Sequence, residues 1–381
     1  MRVLVATTAG AGHLGPMLPF ARALRDAGHE VDVAAPECFA GAVERSGFPH
    51  RPFPDVPPVD LEAVFRRLPA LPAGEARSTI ITEVFGRLDT GAALPGMEAM
   101  VAARPPDLVL REPCELSSYL VAEAAGIPHA QVAIGLAWFH HMATDLWEEP
   151  LVELGATSGL AGLRSAPQVS LVPPSFEDPD QPAREGTARF RDGIVAPSGA
   201  SLPDWWAVAD DPLVYVTFGS VAAGLGLFPS LYVEVVTALA GLPARVLLTV
   251  GDRADPAELG PLPGNVHVER WWPQDQVMGA ARAMIGHGGF GTTLAGLAAG
   301  VPMVVLPLFA DQPENAARVH ALGAGIALEG GPGAVGGLAA ALERVLADES
   351  FRACAGRVAA EVAALPPATD AVPMLEALAG R

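Results

Sequence analysis

Lysine is absent from the 381 residues: all 24 basic side chains are arginine, set against 43 acidic ones. Without lysine there is no Walker A phosphate loop and no Schiff-base cofactor enzyme. A formal net charge of −19 leaves no basic face for nucleic acid or an anionic membrane. Cysteine is scarce; Cys38, Cys114 and Cys354 are odd in number and far apart, which fits packing in a reducing compartment and excludes a disulfide frame or zinc site. Long apolar runs are also missing, since none approaches the roughly 20 residues of a membrane helix. The opening MRVLVATTAG is too short for a signal-peptide core. A soluble, cytoplasmic protein is expected, with no nucleic-acid or membrane partner; oligomeric state is not legible.

What is present is a repeating strand–helix texture. RVLVAT is a continuous apolar run of the kind buried in a parallel sheet, MLPFARALRDAG has helical spacing and stops at Gly28, and HEVDVAA is the next strand. PDLVLRE, IPHAQVAIG and APQVSLVPP repeat the theme with helix-like segments between them. After a stretch rich in Pro, Gly, Ser and Asp the pattern restarts with PLVYVTFGS and continues through ARVLLTVG, NVHVERW, ARAMIGHGG and PMVVLPLF. Alternating strands and helices predict α/β architecture, with two Rossmann-like doubly wound parallel sheets. The expected division is 1–197, a linker at 198–211, a second domain at 212–365, and a C-terminal helix at 366–381 free to pack on either half.

Two glycine patterns match the dinucleotide fingerprint: Gly10-x-Gly12-x-x-Gly15 and Gly286-x-Gly288-x-x-Gly291. The second follows a strand, opens a helix and has Asp311 twenty residues beyond it, so an NAD- or FAD-dependent oxidoreductase is one reading. The first carries His13 at its centre, where a pyrophosphate would need only backbone.

The flanks of the second loop decide between them. From Trp271 to about Asn315 the chain resembles the nucleotide-sugar box of the family 1 glycosyltransferases. The matching pieces are Trp271-x-Pro273-Gln274, His287-Gly288-Gly289-x-Gly291-Thr292, Gly300-Val301-Pro302 and Asp311-Gln312. The lysine-free, alanine-rich style and the run HGGFGTTLAGLAAGVP are similar to actinobacterial enzymes that glycosylate antibiotics and other secondary metabolites. The resemblance implies a two-domain GT-B fold, with the donor in the C-terminal half and the acceptor in the N-terminal half. It also implies inverting transfer with no cofactor and no metal. A non-catalytic auxiliary protein related to these enzymes is a second alternative; it would be expected to lack the base.

The resemblance assigns roles residue by residue, and the chemistry suits them. Gly288, Gly289 and Gly291 let a helix N-terminus approach a pyrophosphate, with His287, Thr292 and Ser220 as side-chain partners. Trp271 offers a flat face to the nucleobase, worth roughly 1–3 kcal/mol by analogy with other base stacking; a one-residue shift in register would exchange it with Trp272. Asp311 and Gln312 follow a strand and so stand at the carboxyl edge of the sheet, suited to sugar hydroxyls or, alternatively, to a helix cap. Many family members have a glutamate that meets the ribose hydroxyls where this chain has Ala295. That favours a dTDP-sugar, whose deoxyribose has no 2′-hydroxyl, over a UDP-sugar. In the N-terminal half the family's base falls on His13, an imidazole suited to accept a proton near neutral pH. Its orienting acid falls on Glu112, where aspartate is more usual, or on Glu115.

Other signals carry less. Asp178-x-Asp180 lies among prolines and reads as a loop. His140 and His141 have no partner at metal spacing and, with Trp138 and Phe139, suit the lining of an acceptor pocket. The stretch 52–95, with Phe65 and Phe85, reads as an irregular segment able to cover that pocket as a lid.

Overall fold

The first strand and helix illustrate why the chain folds as it does. Arg2–Ala6 (β1) buries four of its five residues, as a strand covered on both faces must. The helix Leu18–Asp26 buries Pro19, Phe20, Ala21, Ala23 and Leu24 along one face and ends ahead of Gly28, whose φ of 87° only glycine adopts freely. Phe20 and Leu24 are wholly excluded from solvent, each contributing about 1.5–3 kcal/mol of burial.

The computed structural model describes residues 1–156, 159–192 and 211–380. They divide into two compact units: 1–172 with 178–193 and 366–381, and 173–177 with 194–365. In the first unit the strands are β1, Glu30–Pro36 (β2), His50–Phe53 (β3), Leu108–Arg111 (β4), His129–Val132 (β5), Gln168–Ser170 (β6) and Ala188–Arg189 (β7). They form one parallel sheet in the order 3-2-1-4-5-6-7. In the second they are Leu213–Thr217 (β8), Arg245–Thr249 (β9), Val266–Glu269 (β10), Ala283–Gly286 (β11), Met303–Val305 (β12) and Gly325–Ala327 (β13). These form a second parallel sheet in the order 10-9-8-11-12-13. Two doubly wound parallel sheets are thus present, as the alternating pattern predicts.

Each order reverses once, between β1 and β4 and between β8 and β11. Loops leaving adjacent strands diverge at such a switch point, which opens a crevice at the carboxyl edge. The crevice positions fall after Ala6 and Arg111 in one unit and after Thr217 and Gly286 in the other. The linker expected at 198–211 lies outside the described residues except for Asp211. Residues 366–380 belong to the first unit, where the helix Val372–Leu378 packs against Leu18–Asp26 and Glu376 pairs with His29 at 2.9 Å.

The segment 52–95 is not irregular. Helices run over Pro58–Phe65 and Ala73–Thr79, and the second continues without a break as a wide i→i+5 helix over Ile80–Asp89 and an α-helix over Thr90–Ala103. Sequence signals pointed the other way: Gly86, Gly91, Gly96 and Pro95 read as breakers, and Ile80, Ile81 and Thr82 favour strand. Packing overrides them. Ile81 and Val84 are buried, and a Cβ at Gly86 would meet Pro150 at 3.0 Å, so that glycine serves close approach and not a turn.

Candidate active site

After β1 the chain makes a single helical turn, Ala11–Leu14, which carries His13 at the first switch point. A Cβ on Gly10 would lie 2.8 Å from the His13 ring, so the imidazole needs a glycine beneath it. Its Nδ1 stands 3.1 Å from Oε1 of Glu112, the first residue beyond β4. Phe85, from the wide helix, covers the ring at 5.5 Å between centroids.

Glu112 is wholly buried and its oxygens are fully used. Oε1 accepts the Thr8 amide at 3.1 Å and the Thr8 hydroxyl at 3.0 Å, in addition to facing His13; Oε2 accepts the Cys114 amide at 2.6 Å. Burial pushes its carboxyl up, but His13 and the amides of Cys114 and Thr8 outweigh burial and hold it below the ordinary carboxylate range. Glu112 is therefore an anion at neutral pH. Glu115 is placed differently: it accepts the amides of Ser117 and Ser118 and the Ser117 hydroxyl, capping the helix Ser117–Ala125. Burial raises its carboxyl. His13, Glu112 and Cys114 are the one group of three potential metal-ligating side chains among the described residues. Asp178 accepts the Asp180 amide within a loop turn and joins no such group.

The glycine-rich residues form the second switch point. His287 follows β11, and its ring lies against both switch-point loops: a Cβ on Gly219 would approach it to 2.9 Å and one on Gly289 to 2.4 Å. Burial lowers its pKa to about 4, so it is neutral and adds no positive charge for a pyrophosphate. Gly288 has φ 86° and a Cβ there would strike the Gln312 carbonyl at 2.9 Å. Above Gly291, in the first turn of the helix Phe290–Ala298, nothing lies within 4 Å. The amide-rich end of that helix is open to an anion. Ser220 is exposed beside this edge. Gln274 donates to Thr292 at 3.4 Å, which joins the first turn after Trp271 to the glycine loop. Trp271 is 64% exposed, whereas Trp272 is half-buried.

Asp311 and Gln312 do not stand as equal ligands. Gln312 is buried, and its Oε1 accepts the Leu308 and Phe309 amides at 2.8 and 2.9 Å, leaving only its NH2 group to offer. Asp311 is half-buried and receives Asn315 Nδ2 at 2.9 Å; the same nitrogen donates to the Gly288 carbonyl at 2.8 Å. Asn315 thus ties the acid to the glycine turn, a role no local pattern announces. Trp138 and His140 are buried in the helix Ala137–Leu146, with His140 neutral because burial lowers it to about 4; Phe139 and His141 are half-buried. Sequence reasoning passed over Thr8, which bonds Glu112, and Asp89, which lines a cavity with Thr8, Cys114 and Glu115. Thr8 follows a strand named for its burial, and Asp89 fell in the segment read as irregular.

Comparison with known proteins follows the same two halves. Residues 22–211 match the family described as erythromycin biosynthesis protein CIII-like, N-terminal domain, and residues 233–378 match the corresponding C-terminal domain. L-demethylnoviosyl transferase of Streptomyces niveus is 33% identical, covering 96% of this chain and 95% of its own length. The 4'-demethylrebeccamycin synthase of Lentzea aerocolonigenes is 30% identical over 99% of each. Among solved structures, the Streptomyces sp. SF2575 glycosyltransferase SsfS6 complexed with thymidine diphosphate is 30% identical with a TM-score of 0.78 over 99% of both chains. Spinosyn rhamnosyltransferase SpnG is 25% identical with a TM-score of 0.83, covering 99% of this chain and all of its own.

Proposed function

From the premise that this chain belongs to the erythromycin biosynthesis protein CIII-like family of antibiotic-type glycosyltransferases, we propose that it moves a deoxysugar from a dTDP carrier to a polyketide or aromatic aglycone. The transfer inverts the anomeric carbon and uses no metal ion. Membership in this family replaces the oxidoreductase alternative.

The observation that carries the mechanism is the 3.1 Å approach of His13 to an ionised Glu112 whose two oxygens each accept a backbone amide. Glu112 fixes the imidazole with Nδ1 turned inward, so Nε2 is the atom left to accept a proton. The acceptor hydroxyl gives its proton to Nε2 as its oxygen attacks the anomeric carbon. The bond from that carbon to the diphosphate oxygen breaks on the opposite face, and the leaving dTDP keeps the electron pair. Charge growing on the diphosphate is met by the amides at the start of Phe290–Ala298 and by the Thr292 hydroxyl, in a chain that has no lysine to meet it. Trp271 stacks on the thymine, and Asp311 accepts from sugar hydroxyls. Support for thymidine diphosphate comes from Ala295, half-buried on the helix that starts at the glycine loop, and from the solved relative that holds this nucleotide.

The test is turnover measured beside dTDP affinity in His13→Ala. Turnover is expected to fall roughly 10²–10⁴-fold with dTDP binding almost unchanged, because the nucleotide contacts lie in the second unit. Near-full turnover would place the base elsewhere. Loss of dTDP binding with turnover kept would make the His13 loop a nucleotide cradle.

A further inference from the structure

His13 is surrounded by more acid than an orienting partner requires. The wide helix Ile80–Asp89 lays Phe85 against the ring, and Asp89 follows four residues on, lining a cavity with Thr8 and Cys114, the two residues whose amides Glu112 accepts. Thr90 Oγ1 donates to the Phe85 carbonyl at 2.7 Å, a five-residue span that matches the widened turn at this point. Asp89, Thr90, Thr8, Cys114 and Glu115 line a cavity of ≈ 20 Å³, enough for about one water molecule. Its other walls are apolar, among them Phe53, Val56 and Leu116. Asp89 has no hydrogen-bond partner among the described residues, in contrast to Glu112 and Glu115, whose oxygens are engaged.

We propose that Asp89 is a second carboxylate acting on His13, a positioning residue that stabilises the imidazolium once the acceptor's proton has arrived. The proposal rests on His13 being the base. Three carboxyl groups in one buried neighbourhood cannot all ionise freely. Glu112 carries the permanent charge. Burial raises Glu115, which caps a helix and faces Ser117 and Ser118. Asp89 is pushed up to about 7 by burial, with Glu112 and Glu115 adding to the rise and His13 opposing it. Asp89 is thus the group whose charge changes in the working range. Reciprocity of the interaction means that its anion favours protonated His13 as much as protonated His13 favours the anion.

Cys114 and Glu115, from the segment after β4, share the cavity with Asp89, and the titratable groups within electrostatic reach of it are His13 from the turn after β1, Glu112 beyond β4, and Cys38 from beyond β2. The other charges on its own helix are engaged on the outside: Glu83 with Arg67 of the preceding turn, and Arg87 with Glu149 and Glu153 of the helix Glu148–Glu153.

The experiment is a histidine titration by NMR on the full chain labelled at histidine Cε1, with His13 assigned by its missing signal in His13→Ala. It is run on wild type, Asp89→Asn and Asp89→Glu, beside the pH dependence of kcat. Asn copies the neutral acid and is expected to fold. In Asp89→Asn the His13 midpoint should fall by about one pH unit, the acid limb of kcat should move down with it, and the plateau should drop roughly two- to fivefold as the base weakens. Acceptor KM should hold, and Asp89→Glu should restore most of the midpoint. An unmoved midpoint in Asp89→Asn overturns the proposal whatever His13 does in catalysis. A moved midpoint with an unmoved acid limb supports the coupling and overturns the base assignment instead.

Discussion

Replacing Glu112 by Gln asks whether the acid beside His13 is present as a charge. Its Oε1 receives the Thr8 amide at 3.1 Å and hydroxyl at 3.0 Å and faces His13 Nδ1 at 3.1 Å, while Oε2 receives the Cys114 amide at 2.6 Å. A carboxamide has a single acceptor oxygen. Turned toward Thr8, it sets its NH2 group against the Cys114 amide; turned the other way, against the Thr8 amide. Either choice leaves one buried backbone N–H without an acceptor, costing about 1–3 kcal/mol, and the surviving bonds lose their charge assistance. The first unit should therefore lose about 2–4 kcal/mol at neutral pH. The sign of the pH dependence follows from the depressed Glu112 carboxyl. Its stabilisation is complete above the unfolded value, about 4.3, and disappears as pH falls through the lower folded value. The variant's deficit should accordingly narrow in acid below about pH 4. Hydrogen exchange of the β1 peptide measures this, with β11 in the second unit as internal control. The expected loss of protection at neutral pH is about 30- to 1,000-fold. Equal protection of β1 in the two proteins, or a deficit that widens in acid, would refute an ionised Glu112 held by these donors.

Two further outcomes concern the donor. Trp271→Ala should weaken dTDP binding by about 5- to 150-fold, the equivalent of one stacked base, and Trp272→Ala should weaken it less; calorimetry on both variants checks which ring carries the base. Ala295→Glu should narrow the preference for dTDP over UDP in the same assay, because a carboxylate on that helix face can accept from the ribose 2′-hydroxyl, and an unchanged preference would place the ribose elsewhere.

The two sheets were legible because strands covered on both faces leave continuous apolar runs, such as RVLVA and LVYVT, that no surface element can carry. Glu112 was legible because DLVLRE ends a strand on its acid. The helical run from Ala73 to Ala103 was not, since two of its glycines answer to neighbours far along the chain, Gly86 to Pro150 and Gly96 to Pro54. Asp89 was missed for the same reason. An acid in a segment read as irregular passes for solvated surface, and only the docking of that segment near the β1 and β4 loops brings Asp89 into the cavity with Thr8 and Cys114. Asn315 and Thr8 work through backbone groups of other loops, which leaves no trace in spacing.

The molecule uses one topological device twice, and the comparison within the chain separates its two switch-point histidines by what surrounds them. Both sheets reverse strand order once, and both carry a histidine on a loop leaving a strand at that reversal, His13 in the helical turn after β1 and His287 directly after β11. Across the first reversal the residue just beyond the neighbouring strand β4 is Glu112, an anion 3.1 Å from the ring. Across the second, Gly219 lies two residues beyond β8, and its missing side chain lets the His287 ring lie close and supplies no charge. Burial without a counter-charge keeps His287 neutral at any working pH. Shape alone therefore does not make a switch-point histidine a base, since His287 fits its loops as closely as His13 fits its own. What distinguishes His13 is the residue just beyond the adjacent strand. A proton reaching His13 meets a buried anion already fixed in place, whereas one reaching His287 meets only the Thr217 backbone, which does not offset the desolvation of a new charge.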